Sequence, residues 1–138
     1  MSANESKMTT SDTIVQTRSF DAPVAKVFSV IAESGQHSEM TGAPADLATK
    51  RGGTFTTHGG GIEGVLLDRV NNEYIVQAWR PADWDAGVYS VVRYDFAEDG
   101  AGTVITLTHS AIPEGASSHL VDGWNTMYWA PLATHLAG

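Results

Sequence analysis

The side chains able to donate, accept or attack are few in this chain, and their spacing narrows the chemistry further. Five histidines, His37, His58, His109, His119 and His135, are the available bases. No two are spaced as a metal pair on one helix or strand, and H-E-x-x-H is absent, so no metal is expected. There is no cysteine, which removes thiolate metal sites, disulfides and cysteine nucleophiles together. G-x-S-x-G is absent and the serines fall at cap and turn positions, so no serine triad can be assembled. Acid pairs for glycoside chemistry reduce to Asp83 with Asp85 or Glu98 with Asp99, both in stretches that read as solvated loops.

Gly59, Gly61 and Gly64 satisfy G-x-G-x-x-G, with Asp83 and Asp85 roughly twenty residues on. That fingerprint binds a pyrophosphate only when a helix N-terminus follows it and aims its amides at the phosphates. Here the run after it, Val65-Leu66-Leu67-Asp68-Arg69-Val70, reads as a strand. The glycines therefore mark a turn, and no cofactor is expected. Aromatic surface is the chain's other resource: Phe28, Phe55, Trp79, Trp84, Tyr89, Tyr94, Trp124, Tyr128 and Trp129. Core packing accounts for Phe28 and Trp124. Trp84 sits in a loop with glycine and aspartates, where a large ring either lids a cavity or packs on a sheet edge.

These side chains need elements to position them. The longest helical pattern is the last, Ser117 to Leu136, with Leu120, Val121, Trp124, Met127, Tyr128, Leu132 and Leu136 on one stripe. Ser117 or Ser118 is its expected cap, and Pro131 should kink it, since proline lacks the amide and crowds the preceding turn. Near the N-terminus Thr13–Phe20 reads as a strand, followed by a helix carrying Val24, Val27, Phe28 and Ile31 and stopped by Ser34-Gly35. A second helical turn is expected over Gln36–Met40. Six strands then meander between glycine and asparagine turns: Ala45–Lys50, Thr54–His58, Ile62–Val70, Glu73–Arg80, Val88–Phe96 and Thr103–Ala111. Alternation turns Val92, Tyr94 and Phe96 inward, with Ile105, Leu107, His109 and Ala111 on the neighbouring strand. Trp79 is placed inward because an exposed tryptophan there would be costly.

At 138 residues the chain suits one domain, residues 13–138, behind a polar disordered tail over residues 1–12. Sixteen acids against eight bases give a net charge of −8, and Lys50-Arg51 is the only basic pair. Nucleic acid and anionic membranes, which need a basic stripe, are poor partners. No run is long enough to span a bilayer and no signal segment is present, which with the absence of cysteine suits a cytoplasmic protein.

An ordered set of residues carries a specific resemblance. It comprises the Gly52-Gly53 turn, Trp79-Arg80 closing a strand, Trp84 before Gly87, His109 before Ile112-Pro113, and Gly123-Trp124 with Trp129-Ala130-Pro131-Leu132. From about Thr13 onward the chain resembles the C-terminal domain of the activator of the heat-shock protein 90 ATPase, within the START-like (SRPBCC, helix-grip, Bet v-like) superfamily. The resemblance implies an α+β fold of order β-α-α-β6-α. A seven-stranded antiparallel sheet would wrap a long C-terminal helix, with a cavity between them. Eukaryotic members carry a further N-terminal domain central to ATPase stimulation, which has no counterpart in these residues, so direct activation is not expected.

The functional expectation is a non-enzymatic domain binding a small hydrophobic molecule under the last helix, as a stress-related, co-chaperone-like regulator with a heat-shock chaperone as partner. The cavity would be lined by Phe55, Val65, Gln77, Trp79, Trp84, Tyr94, His109, Trp124, Met127 and Tyr128, with His109, Gln77 or Tyr128 fixing orientation. For His109 the plainer alternative is a histidine hydrogen-bonded within a buried wall. Two other classes stay open. A polyketide-cyclase-like enzyme would need an inward acid or base, for which only His109 and Glu63 offer. A pure protein-interaction module would work through the acidic surface.

Overall fold

The computed structural model describes residues 12–138. The tail expected over residues 1–12 lies outside these residues except for Asp12, which opens the first strand. In β1 (Asp12–Phe20) alternation sets Ile14, Gln16 and Phe20 inward. Two helices follow. In α1 (Val24–Ala32), Val27, Phe28 and Ile31 fall on one buried stripe, as the 3.6-residue period requires. The expected stop at Ser34-Gly35 comes one residue earlier. Glu33 is extended (φ −104°, ψ 133°), and Ser34 already opens α2 (Ser34–Thr41). Gly42, left-handed at φ 78°, ends it.

Five more strands run β2 (Thr54–Thr57), β3 (Ile62–Val70), β4 (Tyr74–Pro81), β5 (Ser90–Asp99) and β6 (Gly102–Ile112). They pair antiparallel in the order β1-β6-β5-β4-β3-β2, one six-stranded sheet. The seventh strand, expected over Ala45–Lys50, is reduced to a single bridge between Asp46 and Thr56. Its ladder donors are diverted to α2. The Ala45 amide bonds to Ser38 Oγ at 2.9 Å, and the Leu47 amide to Ser34 Oγ at 2.8 Å.

Val92, Tyr94, Phe96, Ile105, Leu107 and Trp79 all face inward and are buried. Ala111 does not. It is exposed at φ 56°, and the β1–β6 register slips between Asp12 and Ile14, so a bulge turns Ile112 inward in its place. Gly64 faces the core where no side chain fits: a Cβ there would lie 1.8 Å from the Ala78 carbonyl oxygen. Its role is close strand approach, and the run after it is a strand, so the glycine-rich segment is a turn.

The last element crosses the inner face in three pieces: α3 (Ser117–Trp124), a π-helical turn over Asn125–Trp129, and α4 (Ala130–Ala137). Neither expected serine caps it. Ala116 holds the N-cap position, and the Ser117 hydroxyl donates instead to Asp12 Oδ2 at 2.8 Å, tying helix to β1. Pro131 disturbs the helix by widening it. The Ala130 amide reaches back five residues to the Asn125 carbonyl, just before the proline that has no amide to give. This extra residue per turn rotates Trp129 onto the buried side. There it stacks on Trp124 at 5.6 Å, and its Nε1–H donates to Gln16 Oε1 at 2.6 Å.

Candidate functional site

A cavity of about 230 Å³ opens between the sheet and α3. Trp79 of β4 and Trp124 of α3 form its floor, with ring planes 23° apart and centroids at 5.7 Å. Trp84, on the 81–87 loop, meets Trp79 edge-on at 6.3 Å and forms one side. Tyr128 and Met127 of the π turn form the opposite side, Met127 half exposed at the mouth. Leu120, Gly123 and Ile62 complete an apolar lining, with His58, Asp83 and His119 supplying polar groups. No element alone would make this space: Gly123 leaves room on α3, with nothing within 4 Å of where its Cβ would stand.

Trp84 is held in place by Arg80. The guanidinium reaches the Trp84 carbonyl, donates from Nε to the Asp85 carbonyl at 2.9 Å, and pairs with Glu63 at 2.6 Å. One planar fork therefore clamps the loop to the end of β4. Arg80→Ala is expected to loosen this loop through loss of such charge-assisted bonds. It should also raise the cleavage rate of the 81–87 loop in limited proteolysis, while the melting temperature moves by only a few degrees.

Of the ten residues expected around the ligand, five line this cavity: Trp79, Trp84, Trp124, Met127 and Tyr128. Phe55 and Gln77 line a separate void of about 10 Å³, bounded by Ile31, Leu47 and Leu66. That is room for about one water. Val65 is misplaced by the sequence reading. It faces the outer side of the sheet opposite Thr54 and Ala78, because Gly64 and Leu66 take the inner positions. Tyr94 is packed in the core, edge-on to Trp124 at 5.9 Å.

His109 is also behind the wall, fully buried, and both of its nitrogens are engaged. Trp124 Nε1–H donates to Nδ1 at 3.0 Å, so the ring proton sits on Nε2, which donates to Ser90 Oγ at 2.8 Å. Ser90 in turn donates to the Trp79 carbonyl at 2.8 Å. Burial pushes the His109 pKa down to about 4, so the ring stays neutral and this tautomer is fixed. The plainer reading of His109 therefore fits: it braces both floor tryptophans and carries no free nitrogen for an orienting bond.

The residues the sequence reading missed are His58, His37 and Arg80. His58 sits at φ 52° in a short helical turn over His58–Gly60, inside the glycine-rich stretch that reads as a plain turn. Its ring meets Tyr128 edge-on at 5.0 Å, and that of buried His37 does so at 5.6 Å. Burial lowers the pKa of both, that of His37 to about 4, and that of Tyr128 rises to about 12 for the same reason. Glu63 is held by Arg80 at the strand end. Among the described residues no three histidine or carboxylate side chains converge.

The sequence that folds into this sheet and broken C-terminal helix matches one family model across residues 21–137, that of the Activator of Hsp90 ATPase homolog 1-like proteins. The chain belongs to this family. Among solved structures, an HSP90 activator from Plasmodium falciparum superposes with a TM-score of 0.85 at 23% identity, covering 91% of this chain and 96% of that one. CalU16 from Micromonospora echinospora gives 0.79 at 21% identity, over 91% of this chain and 76% of that one. At such identities the likeness shows the fold, an α+β helix grip. The human activator of 90 kDa heat shock protein ATPase homolog 1 is 29% identical over 90 residues, covering 65% of this chain and 27% of that protein. The Dictyostelium discoideum activator homolog is 27% identical over 119 residues, covering 86% of this chain and 31% of that protein. The chain thus spans about a third or less of these activator homologs. Among the described residues of this family member, no helix is long and apolar enough to cross a membrane.

Proposed function

We propose that this domain binds a small hydrophobic molecule in the Trp79–Trp84–Trp124 cavity, without catalysis, and that occupancy regulates a stress-related, co-chaperone-like role. The observation that carries the reading is the cavity itself. Where the void beside Phe55 has room for about one water, this space is an apolar chamber whose walls are three indoles and a phenol. The non-enzymatic reading rests on His109 and Glu63, whose reactive atoms are engaged by Trp124, Ser90 and Arg80. A leucine at Gly123 fits the helix better than glycine and projects into the chamber. Titration of a naphthalene probe, followed by tryptophan fluorescence, should saturate with the natural chain. It should fall at least about tenfold in affinity for Gly123→Leu, the cost of filling a pocket by roughly 1.4 kcal/mol or more. Equal binding by the two proteins would refute the site.

A heat-shock chaperone as partner is supported by the names of the relatives, and the half-exposed Met127 at the mouth gives such a partner an apolar foothold. Met127→Glu would then weaken chaperone capture at low salt, with the fold unchanged. Undiminished capture would remove this contact from the proposal.

A further inference from the structure

Sulfur chemistry in this chain is confined to thioethers. It has no cysteine and four methionines, of which Met40 and Met127 fall among the described residues. Their surroundings differ. Met40 of α2 is 6% exposed and belongs to the core, whereas Met127 of the π turn is 50% exposed. Six large apolar side chains are exposed among the described residues: Val15, Leu67, Val70, Val88, Tyr89 and Met127. Of these only Met127 lines the cavity.

A thioether in that position joins two properties. From solvent it is open to oxidation, whose site selectivity follows exposure. From the cavity it is part of an apolar wall, together with Leu120, Ile62 and Pro81. With hydrogen peroxide the sulfur lone pair attacks one peroxide oxygen, the O–O bond breaks and an S–O bond forms. The second oxygen takes the proton of the first and leaves as water. The thioether is thereby oxidised by two electrons and the peroxide reduced by two. The product is a polar, chiral sulfoxide in place of a flexible apolar group. Its oxygen is an acceptor that an apolar ligand cannot match, so seating such a ligand against it means stripping water from it.

Resting on the ligand-binding reading above, we propose that Met127 is a modification site: hydrogen peroxide oxidises its thioether, and the sulfoxide lowers the cavity's affinity for apolar ligands. Methionine sulfoxide reductases reverse the step, so the modification sets occupancy and leaves the domain intact. The core is spared because Met40 is buried. The absence of cysteine means that no thiol of this chain takes the oxidant first.

Limited treatment with hydrogen peroxide, followed by peptide mass analysis, should oxidise Met127 well before Met40. After the peroxide is removed, β-naphthol is titrated by tryptophan quenching. The treated chain is expected to bind about three- to tenfold more weakly than the untreated one, with an unchanged circular dichroism spectrum. Incubation with reductases for both sulfoxide epimers should restore the affinity. Met127→Leu keeps an apolar side chain without sulfur, and in it treated and untreated protein should bind alike, whatever their common affinity. Oxidation of Met40 ahead of Met127, or an affinity that does not change once Met127 is fully oxidised, overturns the modification site and leaves ligand binding standing. A loss that persists in Met127→Leu, or one that reports unfolding in the circular dichroism spectrum, overturns it too. Failure of the untreated chain to bind β-naphthol overturns the ligand reading, and this proposal with it.

Discussion

Replacing His109 by alanine is expected to destabilise the fold by on the order of 3–5 kcal/mol, combining a buried void with two polar groups left unmatched. The indole N–H of Trp124 and the hydroxyl of Ser90 both end on this ring, which is fully buried. Through Ser90 the chain of bonds continues to the Trp79 carbonyl, so β4, β5, β6 and α3 are joined at one imidazole. Urea unfolding measures the loss. The cycle with Trp124→Phe identifies its source, because phenylalanine has no N–H to orphan. The double variant should be more stable than the sum of the single losses by about 1–2 kcal/mol. Simple additivity would mean the indole bond contributes nothing.

Acid is expected to have an effect of similar size. Burial holds His37 and His109 near a pKa of about 4, against 6.5 in an unfolded chain. Between those values the unfolded chain takes up protons that the folded one refuses. Their contribution is therefore complete above about pH 6.5 and is lost as pH falls toward 4. At pH 5 each histidine should have cost roughly 2 kcal/mol relative to pH 7, about 4 for the pair. Urea midpoints measured at the two pH values check this, and His37→Gln should remove about half of the difference. A stability that is flat from pH 7 to pH 5 would show that these rings already accept protons in the folded state.

Much of the architecture was legible in the sequence because period is a strong signal. The inward set Val92, Tyr94, Phe96, Ile105, Leu107 and His109 follows from alternation alone, as does α1 from its 3.6-residue stripe. Where the reading failed, a local choice was decided by a distant partner. Ala45–Lys50 reads as a strand from the Gly52-Gly53 turn that follows it, yet the hydroxyls of Ser34 and Ser38 claim its amides. Ala111 keeps the alternation on paper, but the bulge facing Asp12–Ile14 reverses it. Val65 is expected at the cavity but faces outward, because the close approach to Ala78 gives Gly64 the inner place. Trp129 lay off the helical stripe, and only the π turn ahead of Pro131 brings it inside. The pairing of His37 with His58 has no signature in the sequence, since they meet through Tyr128, far along the chain. Ladder partners, bulges and cross-chain ring contacts are tertiary facts that period does not encode.

The chain has four tryptophans, and their indole N–H groups form a built-in map of the cavity. Trp79, Trp84 and Trp124 line it, while Trp129 is turned away onto Gln16. Proton–nitrogen correlation spectra recorded during a titration with β-naphthol therefore test the central claim directly. The account predicts that the indole signals of Trp79, Trp84 and Trp124 shift together and saturate while that of Trp129 stays in place. Movement of Trp129 to the same extent, or no movement of the three at saturating probe, would contradict it.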